Sequence, residues 1–147
     1  MNEAPRPFYE SEKDRSNERD VIRVAEAAWS AKAIKLKKAY HVDYMLESSD
    51  GRKAFAEIKC RNYSLHGLNR LGGLFISLHK WVMARQMTEV CRVPLLVLLK
   101  TTDGYWYHAT EDFKHDGLSF GGRTDRNDWQ DTEPVITLRS HRFTKLR

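Results

Sequence analysis

Residues 41–61 read HVDYMLESSDGRKAFAEIKCR, and this stretch decides the fold. Two runs, His41–Leu46 and Lys53–Arg61, flank Glu47-Ser48-Ser49-Asp50-Gly51. An Asp-Gly pair favours the positive φ values of a tight hairpin turn, so the runs are expected to pair as antiparallel strands. Alternate residues of a strand share a face. Glu57, Lys59 and Arg61 therefore fall on one side, while Ala54, Ala56, Ile58 and Cys60 form a small apolar set on the other, suited to lie beneath a helix. Asp43, between Val42 and Tyr44, is expected in mid-strand, and the hairpin carries it beside Glu57.

Working outward, Asn17 is the expected N-cap of a preceding helix, whose stripe Val21, Val24, Ala25 and Ala28 recurs at helical spacing. Glu18 begins the same inward-facing stripe. Ala33–Lys38 is a short strand candidate, Asn62–Gly73 a polar loop, and Leu74–Glu89 a second helix with Leu74, Leu78, Trp81 and Val82 on one face. Val93–Lys100 is an apolar run suited to a strand buried on both sides. Asp103-Gly104 turns the chain into Tyr105–Ala109, and a last strand candidate spans Pro134–Leu138. The order helix, three strands, helix, two strands implies an α/β fold with a central mixed sheet flanked by helices. Residues 1–16 read as a polar tail and 17–147 as a single domain. Trp29, Trp81, Tyr105, Trp106 and Tyr107 stand at core-like spacings and read as packing residues.

Composition excludes several classes. Cys60 and Cys91 are the only cysteines, without a CxxC, so neither a disulfide framework nor a structural zinc site is expected, and both thiols are expected reduced and buried. The longest apolar run, Val93–Leu99, falls far short of the roughly 20 residues that span a bilayer. The polar stretch Met1–Asp20 is not a signal peptide, and the expectation is a soluble, cytoplasmic protein with no membrane partner. A net charge of +5 suits a polyanionic partner.

Asp43, Glu57 and Lys59 carry the chemistry. Two carboxylates held together repel, and burial makes each costly unless it is paired or metal-bound. Hard oxygen donors select Mg²⁺, with Mn²⁺ as a substitute, over zinc. Such an ion polarises a phosphate oxygen and acidifies a bound water, and an adjacent ammonium assists that water and the charge developing on phosphorus. This is equipment for phosphodiester hydrolysis. His41 and His66 are weaker candidates as phosphate or water ligands, outweighed by ordinary structural roles.

The pattern resembles the PD-(D/E)xK nuclease superfamily, with its restriction-endonuclease-like fold. There an Asp at a strand start precedes Glu-x-Lys on the next strand, as Asp43 precedes Glu57-Ile58-Lys59 here, within an αβββαβ core. The segment Glu18-Arg19-Asp20-Val21-Ile22-Arg23-Val24 looks like the Glu-bearing helix of archaeal Holliday-junction resolvases, and that likeness implies Glu18 as a further metal-reaching carboxylate. The resemblance covers Asn17 to Ala109. It departs in two places. His41-Val42 stands where the nominal motif has Pro before Asp, and Val90 stands where the recombination exonucleases carry Tyr four residues after Gln86. What the resemblance implies is a Mg²⁺-dependent deoxyribonuclease acting on DNA, as an endonuclease or an exonuclease and compatible with a homodimer; its small size and style suit a phage or mobile-element nuclease. Arg61, Lys80, Arg85 and Arg123 are the expected phosphate-backbone contacts. The competing expectation is a non-catalytic nucleic-acid-binding or assembly module on the same fold.

Overall fold

The computed structural model describes residues 12–110, 112–121 and 132–146. Its centre is the expected hairpin. Strand β2 (Tyr44–Ser48) pairs antiparallel with β3 (Lys53–Cys60), Tyr44 opposite Ala56 and Glu47 opposite Lys53. Gly51 takes φ +88° in the turn, a conformation that L side chains rarely adopt. Strand β1 (Ala31–Lys35) adds to the outer edge of β2. The expected first strand, Ala33–Lys38, is thus shifted to Ala31–Lys35: Lys38–Tyr40 is a 3₁₀ turn and His41 takes the left-handed conformation, which delays the start of β2.

Helix α1 (Glu12–Trp29) begins five residues before Asn17, inside the stretch expected to be a tail. Glu12 pairs with Arg15 at 2.9 Å and Arg19 at 3.3 Å, and its charge suits the first turn. Val21, Ile22 and Ala25 pack on Tyr44, Leu46, Ala56 and Leu98, so the small-residue face of β3 does lie beneath a helix. Each buried aliphatic side chain of this kind contributes roughly 1.5–3 kcal/mol.

The region Asn62–Gly73, expected as loop, holds a short helix α2 (Leu65–Arg70) capped by Ser64, whose Oγ accepts from the Gly67 N–H. The expected helix Leu74–Glu89 divides into strand β4 (Leu74–Ser77) and helix α3 (Leu78–Cys91). Gly73 at φ +112° turns the chain into β4 against Thr137 and Leu138, where a Cβ would lie 2.5 Å from Thr137 Cγ2. Ser77 Oγ then accepts from the Lys80 N–H and starts the helix. Trp81 and Ala84 face inward, whereas Val82, expected on that stripe, is exposed.

Strand β5 (Leu95–Thr101) runs parallel to β3 at the centre of the sheet, with Leu98 under α1 and Val97 and Leu99 on the opposite face. Strand β6 (Gly104–Ala109) returns from the Asp103-Gly104 turn. Beyond it the chain forms β7 (Gly117–Gly121), β8 (Glu133–Leu138) and the short β9 (Thr144–Lys145). The main sheet has the order β1-β2-β3-β5-β6-β9, and β4-β8-β7 make a second, antiparallel sheet. Leu74, Ile76, Ile136 and Leu138 from that sheet pack with Trp81 against Phe55, Val97 and Leu99, covering the face opposite α1. Trp29 and Tyr107 meet edge to face at 5.3 Å, Trp81 and Phe113 at 5.0 Å, which agrees with aromatics used for packing. Cys60 is half-buried, but Cys91 is exposed because α3 ends there. No helix among the described residues is long and apolar enough to cross a membrane.

Candidate active site

Since Tyr44 opposes Ala56 on the α1 side, Glu57 points to the other side, toward α3. Asp43 stands one residue before β2, at the strand entrance and not in mid-strand. Its N–H donates to the Ala56 carbonyl at 3.1 Å, and its Oδ2 accepts from the Ile58 N–H at 2.7 Å. The carboxylate is thereby fixed to the backbone of β3 one residue from Glu57.

Glu57 is 4% exposed, an extreme value for a carboxylate. Its Oε1 lies 2.7 Å from Lys80 Nζ and 3.5 Å from Lys59 Nζ. Its Oε2 is buried with no hydrogen-bond partner. Burial, and then the charge of Glu57, push the Asp43 carboxyl above the usual range. Burial draws the Lys59 ammonium below its ordinary value against the opposing pull of Glu57. Burial acts on Lys80 in the same sense, but the charges of Glu57 and Asp43 outweigh it and hold Lys80 above its ordinary value. Two acids and two ammoniums thus share one poorly hydrated place.

Lys80, expected to touch a phosphate backbone, is in this cluster. Its helix face, though not its partner, was open to reading from the sequence: it stands four residues before the buried Ala84, next to the inward face of α3. The boundary error at Leu74 hid the fact that it lies in a first helical turn. His41 lines a cavity of about 10 Å³ with Glu57, Lys80 and Trp81, room for one water at most. His41 also meets His79 edge to face at 5.1 Å. His66 is exposed on α2.

Glu18, on α1, lies near enough for its charge to help raise Lys80. It bonds Lys35 Nζ at 2.8 Å and accepts from the Tyr44 hydroxyl, and burial together with the Glu18 charge raises that hydroxyl to about 12. Arg61 lies just past β3 and donates to the Cys60 carbonyl at 2.8 Å. Arg85 is exposed and pairs with Glu89 at 3.1 Å. Arg123 lies outside the described residues.

The donor set fits a hard divalent ion. The orphaned Oε2 of Glu57 is a buried acceptor that a cation would satisfy, and Asp43 supplies a second carboxylate beside it. Among the described residues, no three His, Cys, Asp or Glu side chains converge to enclose an ion by themselves.

Comparison with known proteins agrees with this fold. The family described as "Phage putative PDDEXK endonuclease" matches residues 4–146. No curated protein matches the chain. Among solved structures, the chain is similar to Hjc, a Holliday junction resolvase from the archaeal hyperthermophile Archaeoglobus fulgidus. The TM-score is 0.60 at 15% identity, over 90% of this chain and 91% of that one, a likeness of fold.

Proposed function

Because the chain belongs to the phage PDDEXK endonuclease family, we propose that it hydrolyses DNA phosphodiester bonds with a divalent ion, Mg²⁺ or in substitution Mn²⁺, held by Asp43 and Glu57. The observation that carries this reading is the buried, unpartnered Oε2 of Glu57 beside Asp43. Burying two carboxylates side by side is unfavourable for folding, and a bound cation is the ligand that offsets it. When bound, such an ion supplies a Lewis acid for a phosphate oxygen and a water acidified toward hydroxide.

The chain's own groups do the rest. Asp43 is oriented by the Ile58 N–H, so its carboxylate is set before substrate arrives. Lys59, 20% exposed and 3.5 Å from Glu57, presents its ammonium where the scissile phosphate would enter. There it hydrogen-bonds the attacking water or a non-bridging oxygen and stabilises the charge that develops in the transition state. Glu18, bonded to Lys35 and acting on Lys80, is the further carboxylate that would support the ion from the α1 side. Arg61 and Arg85 serve the phosphate backbone. The Archaeoglobus protein is a Holliday junction resolvase, and on that likeness branched DNA is the first substrate to try.

The test is cleavage of supercoiled, linear, single-stranded and branched DNA with Mg²⁺, Mn²⁺ or EDTA. EDTA-sensitive cutting that Lys59→Ala abolishes is the expected result. Binding without cutting under every condition would replace the enzyme with a nucleic-acid-binding module.

A further inference from the structure

Glu57 has two ammonium neighbours where the Glu-x-Lys pattern supplies one. Lys80, from the first turn of α3, makes the shorter contact, 2.7 Å against 3.5 Å for Lys59. Its side chain is 37% exposed while that of Glu57 is 5% exposed, so this ammonium stands between a buried carboxylate and solvent. A buried carboxylate without a counter-ion is strongly destabilising, and Lys80 is the closest one. An ammonium and a divalent cation cannot both neutralise the same carboxylate without repelling each other. The four-carbon stem of a lysine lets its ammonium swing outward while its helix stays in place.

We propose that Lys80 is an exchangeable counter-ion: it holds Glu57 charged and oriented in the ion-free protein, then leaves Oε1 for the substrate phosphate when a divalent ion takes the carboxylate. This rests on the metal-dependent reading above. It makes Lys80 a positioning residue with opposite effects on two ligands. Removing its charge relieves repulsion on an incoming cation and also deletes a contact to DNA. A merely structural ion pair would not tighten metal binding when broken.

The experiment is calorimetric titration of the full chain with Mn²⁺, in the wild type, Lys80→Met and Lys80→Arg. A folded Lys80→Met should bind Mn²⁺ at least about tenfold tighter, equivalent to about 1.4 kcal/mol, while its affinity for a labelled branched DNA in Ca²⁺ falls. Lys80→Arg should stay near the wild type in both. Equal or weaker Mn²⁺ binding by folded Lys80→Met overturns the exchange. The wild type gives a second measurement that needs no variant. The NMR signal of the Lys80 ammonium, protected while paired, should be lost on adding Mg²⁺, and its persistence at saturating Mg²⁺ overturns the proposal. A wild type that binds no Mn²⁺ would instead overturn the metal-dependent reading, and this proposal with it.

Discussion

Replacing Glu57 by Gln keeps the shape of the side chain and removes its charge. At 2.7 Å from Lys80, the gross attraction is about 6 kcal/mol at an effective dielectric near 20. Against it stands the desolvation of a carboxylate that is 4% exposed, several kcal/mol on its own. The unpaired Oε2 adds a penalty of about 1–3 kcal/mol. Breaking a buried pair usually costs about 3–5 kcal/mol because the abandoned charge stays buried. Here Lys80 and Lys59 retain 37% and 20% exposure and can turn toward water. The terms nearly cancel, and Glu57→Gln should change unfolding stability by less than about 1.5 kcal/mol. Cleavage should fall at least about 100-fold, the scale of losing a main electrostatic group from an active site. Urea unfolding followed by tryptophan fluorescence, beside a plasmid-cleavage assay, measures both. A loss of 3 kcal/mol or more would mark Glu57 as a structural strut and refute the reasoning, as would undiminished cleavage.

Two further outcomes follow from other ion pairs. Glu18→Gln should lower the cleavage rate and weaken Mn²⁺ binding in calorimetry, since the Glu18 charge reaches Lys80 at the site; an unchanged rate and affinity would remove Glu18 from the site. Asp116 accepts from Arg142 at 2.8 and 2.9 Å and from the Arg139 N–H at 2.7 Å, and these bonds, led by Arg142, hold its carboxyl down at about 2 from 3.8. A carboxyl lowered on folding stabilises above its unfolded value and loses that contribution as pH falls from about 4 toward 2, so Asp116→Asn should cost about 2 kcal/mol at pH 7. Urea unfolding should show that difference shrinking below pH 4, and a gap that stays constant with pH would contradict the assignment.

The sequence by itself determined the elements whose cause is local. The Asp50-Gly51 turn and the period-two pattern of β3 placed the hairpin, put Ala56, Ile58 and Cys60 under α1, and set Glu57 and Lys59 on the opposite face. The apolar run Leu95–Leu99 announced a central strand because both of its faces are covered. Where partners come from far along the chain, local signals failed. Leu74 continues the helical stripe of Leu78 and Trp81, yet Leu74–Ser77 is a strand because β8, some sixty residues later, offers it a hydrogen-bonding edge. The same long-range pairing fixes where α3 begins, and therefore that Lys80 reaches Glu57. Glu18 lies on the inward stripe as the spacing indicated, but its bond to Lys35 of β1 depends on how α1 packs over the sheet. Spacing along one strand follows from covalent geometry and is legible in the chain. Contact between side chains on separate elements depends on packing that no local signal encodes, and tertiary structure alone decided it.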